Sequence, residues 1–273
     1  MIVANYIQIT FQKISPGQSD LLVAALTEAS FDGFEEGENM LKAFIPSVNF
    51  DEKIFDQIIR RYDLSFERSL IEETNWNTAW ESSFQPVVVD DFVAIRAEFH
   101  APVAGVDHDI IITPKMSFGT GHHATTRMML QQMRRIDFTG KKVFDFGTGT
   151  GILAILAVRL GTEHVMAIDN DDWSISNAKE NVEKNAASGI ELVKKDRIDT
   201  GKQYDIVLAN INKNVIVDNF SQLAGLLAPG GTLLLSGLLR EDETDILTEA
   251  GKFPLVFNET VTENNWIAIR FTC

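Results

Sequence analysis

The stretch that most restricts this chain is "KVFDFGTGTGILAILA", residues 142 to 157, where an apolar strand passes through three alternating glycines into an apolar helix. A strand stopping at Phe146 and a helix starting near Ile152 leave "GTGTG" to make the turn. Small residues there let backbone N–H groups and the helix N-terminus approach a ligand, although tight strand–helix packing selects them too. In the dinucleotide fingerprint the third glycine follows the second by three residues. Gly147, Gly149 and Gly151 form G-x-G-x-G, one residue shorter. Asp169 closes the next apolar run, 22 residues after Gly147, and an acid there can accept hydrogen bonds from both ribose hydroxyls. With Asp145 ahead of the loop, the pattern implies a nucleoside site and leaves the nucleoside open.

Around this segment strands and helices alternate from Lys141 onward: "KVFDF", "ILAILAVRL", "HVMAID", "SISNAKENVEKNA", "IELVKKD", "YDIVLANI", "VIVDNFSQLAGLL", "GTLLLSGLL" and "ETDILTEA". The apolar strands lack period-two alternation, as parallel strands covered by helices on both faces should. "VIVDNFSQLAGLL" reads as one helix. The end, "PLVFNETVTENNWIAIRFT", holds two strand-like runs about a polar turn at Glu263 to Asn265, which predicts a closing antiparallel hairpin. Upstream, "PVVVDDFVAIRAEF" and "HDIIITP" read as a small antiparallel entry to the same domain, residues 86–273. Residues 1–74 follow the order β-α-β-β-α-β, a split ferredoxin-like α+β unit that can recognise a partner or add stability. Between them, residues 75–85 are the natural linker; Trp76 and Trp80, four apart, would share one face of a short helix and anchor it.

A formal charge of -15 argues against affinity built on neutralising nucleic-acid phosphates, and it suits a small-molecule site or a basic protein partner. The only cysteine is Cys273, so no disulfide or thiolate metal site forms within the chain, and a reducing cytoplasm fits best. "MIVANYIQITFQ" lacks the features of a signal peptide, and no run of about 18 apolar residues occurs. A soluble, monomeric protein without membrane attachment is expected.

The motif D-x-G-x-G-x-G at Asp145 to Gly151, the acid Asp169 and the terminal hairpin together resemble the doubly wound methyltransferases that use S-adenosylmethionine. The resemblance implies an α/β fold with a seven-stranded sheet, the glycine loop against the methionine part of the cofactor and Asp169 on its ribose. Asp196, closing "ELVKKD", stands where such enzymes often contact adenine; an ion pair with Lys195 or Arg197 is the competing reading.

Strand four ends in "VLANIN", at the edge where open α/β sheets bind ligands. Methyl transfer to nitrogen needs mainly the alignment of a neutral amine with the methyl group. The side-chain carbonyl of Asn210 can accept a hydrogen bond from that amine and direct its lone pair, which makes Asn210 the candidate catalytic residue. Enzymes that methylate planar nitrogens carry N-P-P-Y here, whereas this chain has Asn210-Ile211-Asn212-Lys213, so a flexible alkyl amine is the better substrate. Capping of the next helix competes for Asn210 and Asn212, with Asn212 the better cap. No residue stands out as a base. "TPKMSFGTGHHATT", residues 113 to 126, precedes a helix beginning near Thr126, and its glycines suit a loop that folds over a ligand. Adjacent side chains at His122 and His123 diverge, and no metal is expected.

"FGTGHHATT" at Phe118 to Thr126, the two linker tryptophans, "DFGTGTGILAI" and "VLANI" are together similar to the bacterial ribosomal protein methyltransferases of the PrmA family. That family joins a ferredoxin-like substrate-recognition domain to a methyltransferase domain and methylates amines of the stalk-base protein of the large ribosomal subunit. The resemblance implies cofactor contacts at Thr126, Gly147, Gly149, Gly151, Asp169 and Asn210, with Phe118 and His123 in the loop over the cofactor. It implies transfer to lysine ε-amines and to the N-terminal amine. Many members carry cysteine and serine in place of Thr148 and Thr150, a change that should only preserve backbone geometry, and a basic residue in place of Glu81. Other readings remain: a same-fold methyltransferase for another protein or a small amine, a nicotinamide-dependent oxidoreductase, or a non-catalytic ribosome-docking protein.

Overall fold

The structure is a computed structural model that describes residues 6–37, 39–62, 64–71, 84–114, 119–199 and 201–273. The chain divides into two compact units, Met1–Phe84 and Gln85–Cys273.

The first unit runs β1 (Tyr6–Gln12), α1 (Pro16–Glu28), β2 (Gly33–Gly37), β3 (Met40–Pro46), α2 (Glu52–Tyr62) and β4 (Phe66–Ile71). Its sheet has the order β2-β3-β1-β4 with every pairing antiparallel. Ser15 starts α1 with a capping box: its hydroxyl accepts from the Gln18 N–H while the Gln18 side chain accepts from the Ser15 N–H, and Pro16 supplies a preset φ. Alternation along β1 sends Ile7, Ile9 and Phe11 to one face. These join Leu22 and Leu26 of α1 and Phe55 of α2 among the buried residues, and the rings of Phe55 and Phe66 meet edge to face at 4.9 Å.

The second unit opens with β5 (Val87–Val89), β6 (Val93–Ala97) and β7 (His108–Ile112), then α3 (Ala124–Met133). There follow β8 (Lys142–Phe146), α4 (Ile152–Arg159), β9 (His164–Asp169), α5 (Asp172–Lys184), β10 (Ile190–Lys194) and β11 (Tyr204–Asn210). After α6 (Lys213–Asp218) and α7 (Phe220–Gly225) come β12 (Leu227–Leu239), a 3-10 turn at Arg240–Asp242, α8 (Glu243–Ala250), β13 (Val256–Glu263) and β14 (Trp266–Thr272). The main sheet has the order β10-β9-β8-β11-β12-β14-β13. Its first five strands pair in parallel and β14 runs antiparallel to both neighbours. The order reverses between β8 and β11, which opens a crevice at their C-terminal ends.

Two sequence expectations need correction. The entry strands are not all antiparallel: β5 and β6 form a tight hairpin, but β7 pairs with β6 in parallel, because residues 98–107 carry the chain back to the starting edge. The segment read as one helix from Val215 is two, α6 and α7, broken at Asn219. There the Asn219 backbone leaves the helical region at φ -108° and ψ 7°, and its side chain joins its own N–H on the Val215 carbonyl, at 2.9 and 3.2 Å.

Helix α4 lacks an amphipathic pattern because Ile152 to Ala157 are all buried. It is enclosed by the main sheet on one side and by β7, α3 and α5 on others. The rigid layer so formed holds the glycine turn at the N-terminus of α4.

Candidate active site

The turn after β8 emerges at the reversal of strand order, between β9 and β11. Gly147 has φ 75°, and a Cβ there would stand 2.3 Å from the Ile211 Cγ2 methyl; Gly151, at φ 81°, begins α4, and its Cβ would meet the Ala178 Cβ at 3.2 Å. Both positions therefore demand glycine on conformational and packing grounds. The loop's N–H groups are largely spent inside the fold. Those of Gly147 and Thr148 donate to the Ile168 carbonyl at 2.9 and 3.0 Å, and that of Gly151 donates to the Thr148 carbonyl at 2.9 Å. The side-chain-free faces of Gly147 and Gly151 are filled by Ile211 and Ala178, so these glycines serve the packing of the fold itself.

Asp169 stands at the end of β9, with Oδ2 accepting from the Gly149 N–H at 2.9 Å and Oδ1 from the Asp171 N–H at 3.0 Å. Burial raises its carboxyl above the usual range, opposed by the N–H groups of Asp171, Gly149 and Asn170. A carboxylate offers about four acceptor sites, so these two bonds leave capacity for a diol. Asp145, beneath the loop, is 1% exposed. Its Oδ2 accepts from the Thr148 hydroxyl at 2.6 Å, and its Oδ1 has no partner among the described residues. Burial pushes this carboxyl up to about 7 against the Thr148 bond, with the Asp169 charge adding to the rise.

Asn210 and Thr126 come together across 84 positions of sequence. Asn210 is the last residue of β11, 8% exposed, and its Nδ2 donates to the Thr126 hydroxyl at 3.3 Å. Its Oδ1 is buried and has no partner among the described residues. Asn212, not Asn210, caps α6, accepting the Val215 N–H at 3.1 Å. The helix expected near Thr126 starts at Ala124 because His123 is its N-cap, the ring Nδ1 accepting the Thr125 N–H at 3.3 Å. Desolvation takes His123 down to about 4, with the Arg127 charge pushing the same way, so its ring is neutral. It meets Trp266 edge-on at 4.6 Å between ring centroids. Phe118, Trp76, Trp80 and Glu81 lie outside the described residues.

Sequence reasoning missed how much the side chains of the glycine loop contribute. The Thr150 hydroxyl donates to the Gly119 carbonyl at 2.6 Å, tying the 119–123 segment to the loop, while the Thr150 carbonyl accepts from Asn181 at 2.8 Å. Thr148 and Thr150 thus do more than preserve backbone geometry. Asn177 and Asn181 of α5 and its C-cap Asn185 are all buried. Asn185 takes both the N–H (2.9 Å) and the carbonyl (2.6 Å) of Ile111, and Asn181 takes the Thr113 N–H at 2.7 Å. The helix side thereby serves as the missing neighbour of edge strand β7. Three asparagines at intervals of four, two inside α5, where asparagine is a poor former, and the third at its C-cap, were the available signal. Asp196 is exposed, and Lys195, with Arg197 one of its two candidate ion-pair partners, pairs with Asp199.

Comparison with known proteins gives a family model and several relatives along most of the chain. The family model described as ribosomal protein L11 methyltransferase (PrmA) matches residues 17–273. A ribosomal protein L11 methyltransferase of Porphyromonas gingivalis is 39% identical over 262 residues, covering 93% of this chain and 90% of that protein. One of Chlorobaculum tepidum is 35% identical over 280 residues, covering 97% and 95%. The crystal structure of ribosomal protein L11 methylase from Lactobacillus delbrueckii subsp. bulgaricus superposes with TM-score 0.64 at 28% identity, covering 69% of this chain and 98% of that one.

Proposed function

Because the chain belongs to the ribosomal protein L11 methyltransferase family, we propose that it transfers methyl groups from S-adenosylmethionine to lysine ε-amines of ribosomal protein L11, with the N-terminal amine of that protein as a further acceptor. The observation that carries this reading is Asn210 Oδ1, a buried acceptor without a partner among the described residues, at the strand end beside the glycine loop. Leaving such a carbonyl unpaired costs about 1–3 kcal/mol. An amine N–H supplies the missing donor, and a neutral amine so held keeps its lone pair free for attack.

The residues present suit the cofactor. The resemblance assigns the glycine loop to its amino-acid end, Asp169 has acceptor capacity for its ribose, and His123 and Thr126 stand at the head of α3, with Phe118 assigned beside them by the resemblance alone. When bound, S-adenosylmethionine supplies a methyl group on a sulfonium, so the leaving group needs no acid. The protein's own task is alignment and exclusion of water. A lysine ammonium has a reference pKa of about 10.4, and burial beside Asn210 and Thr126 disfavours its charged form.

The first unit, with the strand order of a ferredoxin-like domain, is assigned to substrate recognition, joined through residues 75–85. It holds more than twice as many acidic as basic side chains, which suits a lysine-bearing partner. Incubation with radiolabelled S-adenosylmethionine and L11 from a strain lacking the enzyme should label L11. Cofactor binding without that label would move the substrate to another protein or a small amine. Stabilisation by NAD but not by S-adenosylhomocysteine would overturn the methyltransferase reading itself.

A further inference from the structure

The residue after Asn210 is held more closely than Asn210 itself. The Ile211 peptide lies under Gly237, a residue at φ 84° where β12 shifts its register against β14 between Ser236 and Leu238. A Cβ on Gly237 would stand 2.1 Å from the Ile211 carbonyl oxygen, 2.6 Å from its carbonyl carbon and 2.9 Å from its nitrogen. On the side of the glycine loop, the Ile211 Cγ2 methyl occupies the place a Cβ of Gly147 would need, 2.3 Å away. The Ile211 N–H donates to the Ser236 carbonyl at 3.2 Å. Downstream, Lys213 is gripped by Asp242 at 3.0 Å and Asp245 at 2.6 Å, and Asp242 also accepts the Leu239 N–H at 2.7 Å. The turn that carries Asn210 is therefore clamped between two glycine backbones and tied at its far end to the segment after β12.

We propose that Ile211 is a positioning residue, a wedge between Gly147 and Gly237 that sets the Asn210 amide at its working distance from the glycine loop. The inference rests on the reading of Asn210 given above and adds Gly237 and Ile211 to the residues on which turnover depends. Neither touches the reacting atoms. A methyl group on Gly237 forces the Ile211 peptide away by more than about 1 Å to reach ordinary contact, and a displacement of about 1 Å at a reacting centre already costs about 100-fold in rate. Gly237 lies against the Ile211 peptide and reaches the glycine loop only through the Ile211 side chain, so the displacement falls first on the adjoining Asn210 amide and less on the loop.

The test measures L11 methylation and S-adenosylhomocysteine binding in the full chain. Gly237→Ala is expected to lower kcat by about 100-fold with the S-adenosylhomocysteine Kd within about threefold of wild type, a split that general unfolding does not produce. Ile211→Ala, which removes Cγ2, is expected to lower kcat by at least about tenfold, and Ile211→Val, which keeps Cγ2, to recover most of that loss. If Gly237→Ala fails to fold, the Ile211 pair decides. A folded Gly237→Ala with wild-type kcat, or Ile211→Ala as fast as Ile211→Val, overturns the wedge. Asn210→Ala in parallel keeps the failures apart: wild-type turnover there overturns the role of Asn210, whereas slow turnover there beside fast Gly237→Ala and Ile211→Ala overturns the wedge alone.

Discussion

Replacing Asp145 by Asn should change how the stability of the second unit depends on pH. The buried carboxyl is pushed up from 3.8 to about 7 in the folded chain. Between those values the folded state holds a proton that the unfolded chain has released, so stability falls as pH rises. The contribution is fully present below pH 3.8 and gone once pH passes about 7. Each unit of the shift is worth about 1.4 kcal/mol, which puts the whole effect on the order of 4 kcal/mol. The isoelectric point near 4.7 makes the acid end of that window impractical. From about pH 5.5 upward, about 2 kcal/mol remains. Asp145→Asn keeps the shape and an acceptor for the Thr148 hydroxyl but cannot titrate, and subtracting its stability from that of wild type cancels the carboxylates not coupled to Asp145, leaving it together with its neighbour Asp169. The assay is urea unfolding from pH 5.5 to 7.5, following the transition that S-adenosylhomocysteine shifts. The wild-type stability relative to Asp145→Asn should drop by about 2 kcal/mol across that range. A difference that stays constant, or grows with pH, would refute a buried acid holding its proton.

Asp169→Ala should weaken S-adenosylhomocysteine binding by about 1.5 to 3 kcal/mol through lost charged hydrogen bonds; an unchanged Kd by titration calorimetry removes Asp169 from the site. Asn210→Ala should reduce turnover far more than thermal stability, since its Oδ1 has no protein bond among the described residues to lose, and melting curves beside methylation rates check this. Asn185→Leu should cost at least about 2 kcal/mol in urea unfolding, because it orphans both the N–H and the carbonyl of Ile111. A loss below about 0.5 kcal/mol there would mean that water replaces the amide at the edge of β7.

Much of the site was legible because its signals are local. Helix and strand periodicity, the spacing of Gly147, Gly149 and Gly151, the acid at Asp169 and the capping of α6 by Asn212 depend on backbone dihedrals and on hydrogen bonds reaching about four residues, all of which one stretch of sequence carries. The closing hairpin about residues 264–265 belongs to the same class. Local rules also misled at Asn219, whose backbone leaves the helical region and divides one apparent helix into α6 and α7. The glycine turn was expected to bring N–H groups up to a ligand, and those of Gly147, Thr148, Gly149 and Gly151 serve Ile168, Asp169 and Thr148 inside the fold. That could not be read from spacing.

By itself, then, the sequence determined the parallel α/β character of the second unit, the glycine turn with its acid one strand over, and the asparagine closing β11. The tertiary structure alone decided which groups face one another: Asn210 with Thr126 across 84 positions, Thr150 with Gly119, the α5 asparagines with β7, and Ile211 between Gly147 and Gly237. The reason is geometric. Those meetings depend on the strand order that sets β11 beside β8 and β12 beside β11, a choice made by burial of the whole core and not by any one segment's own preferences.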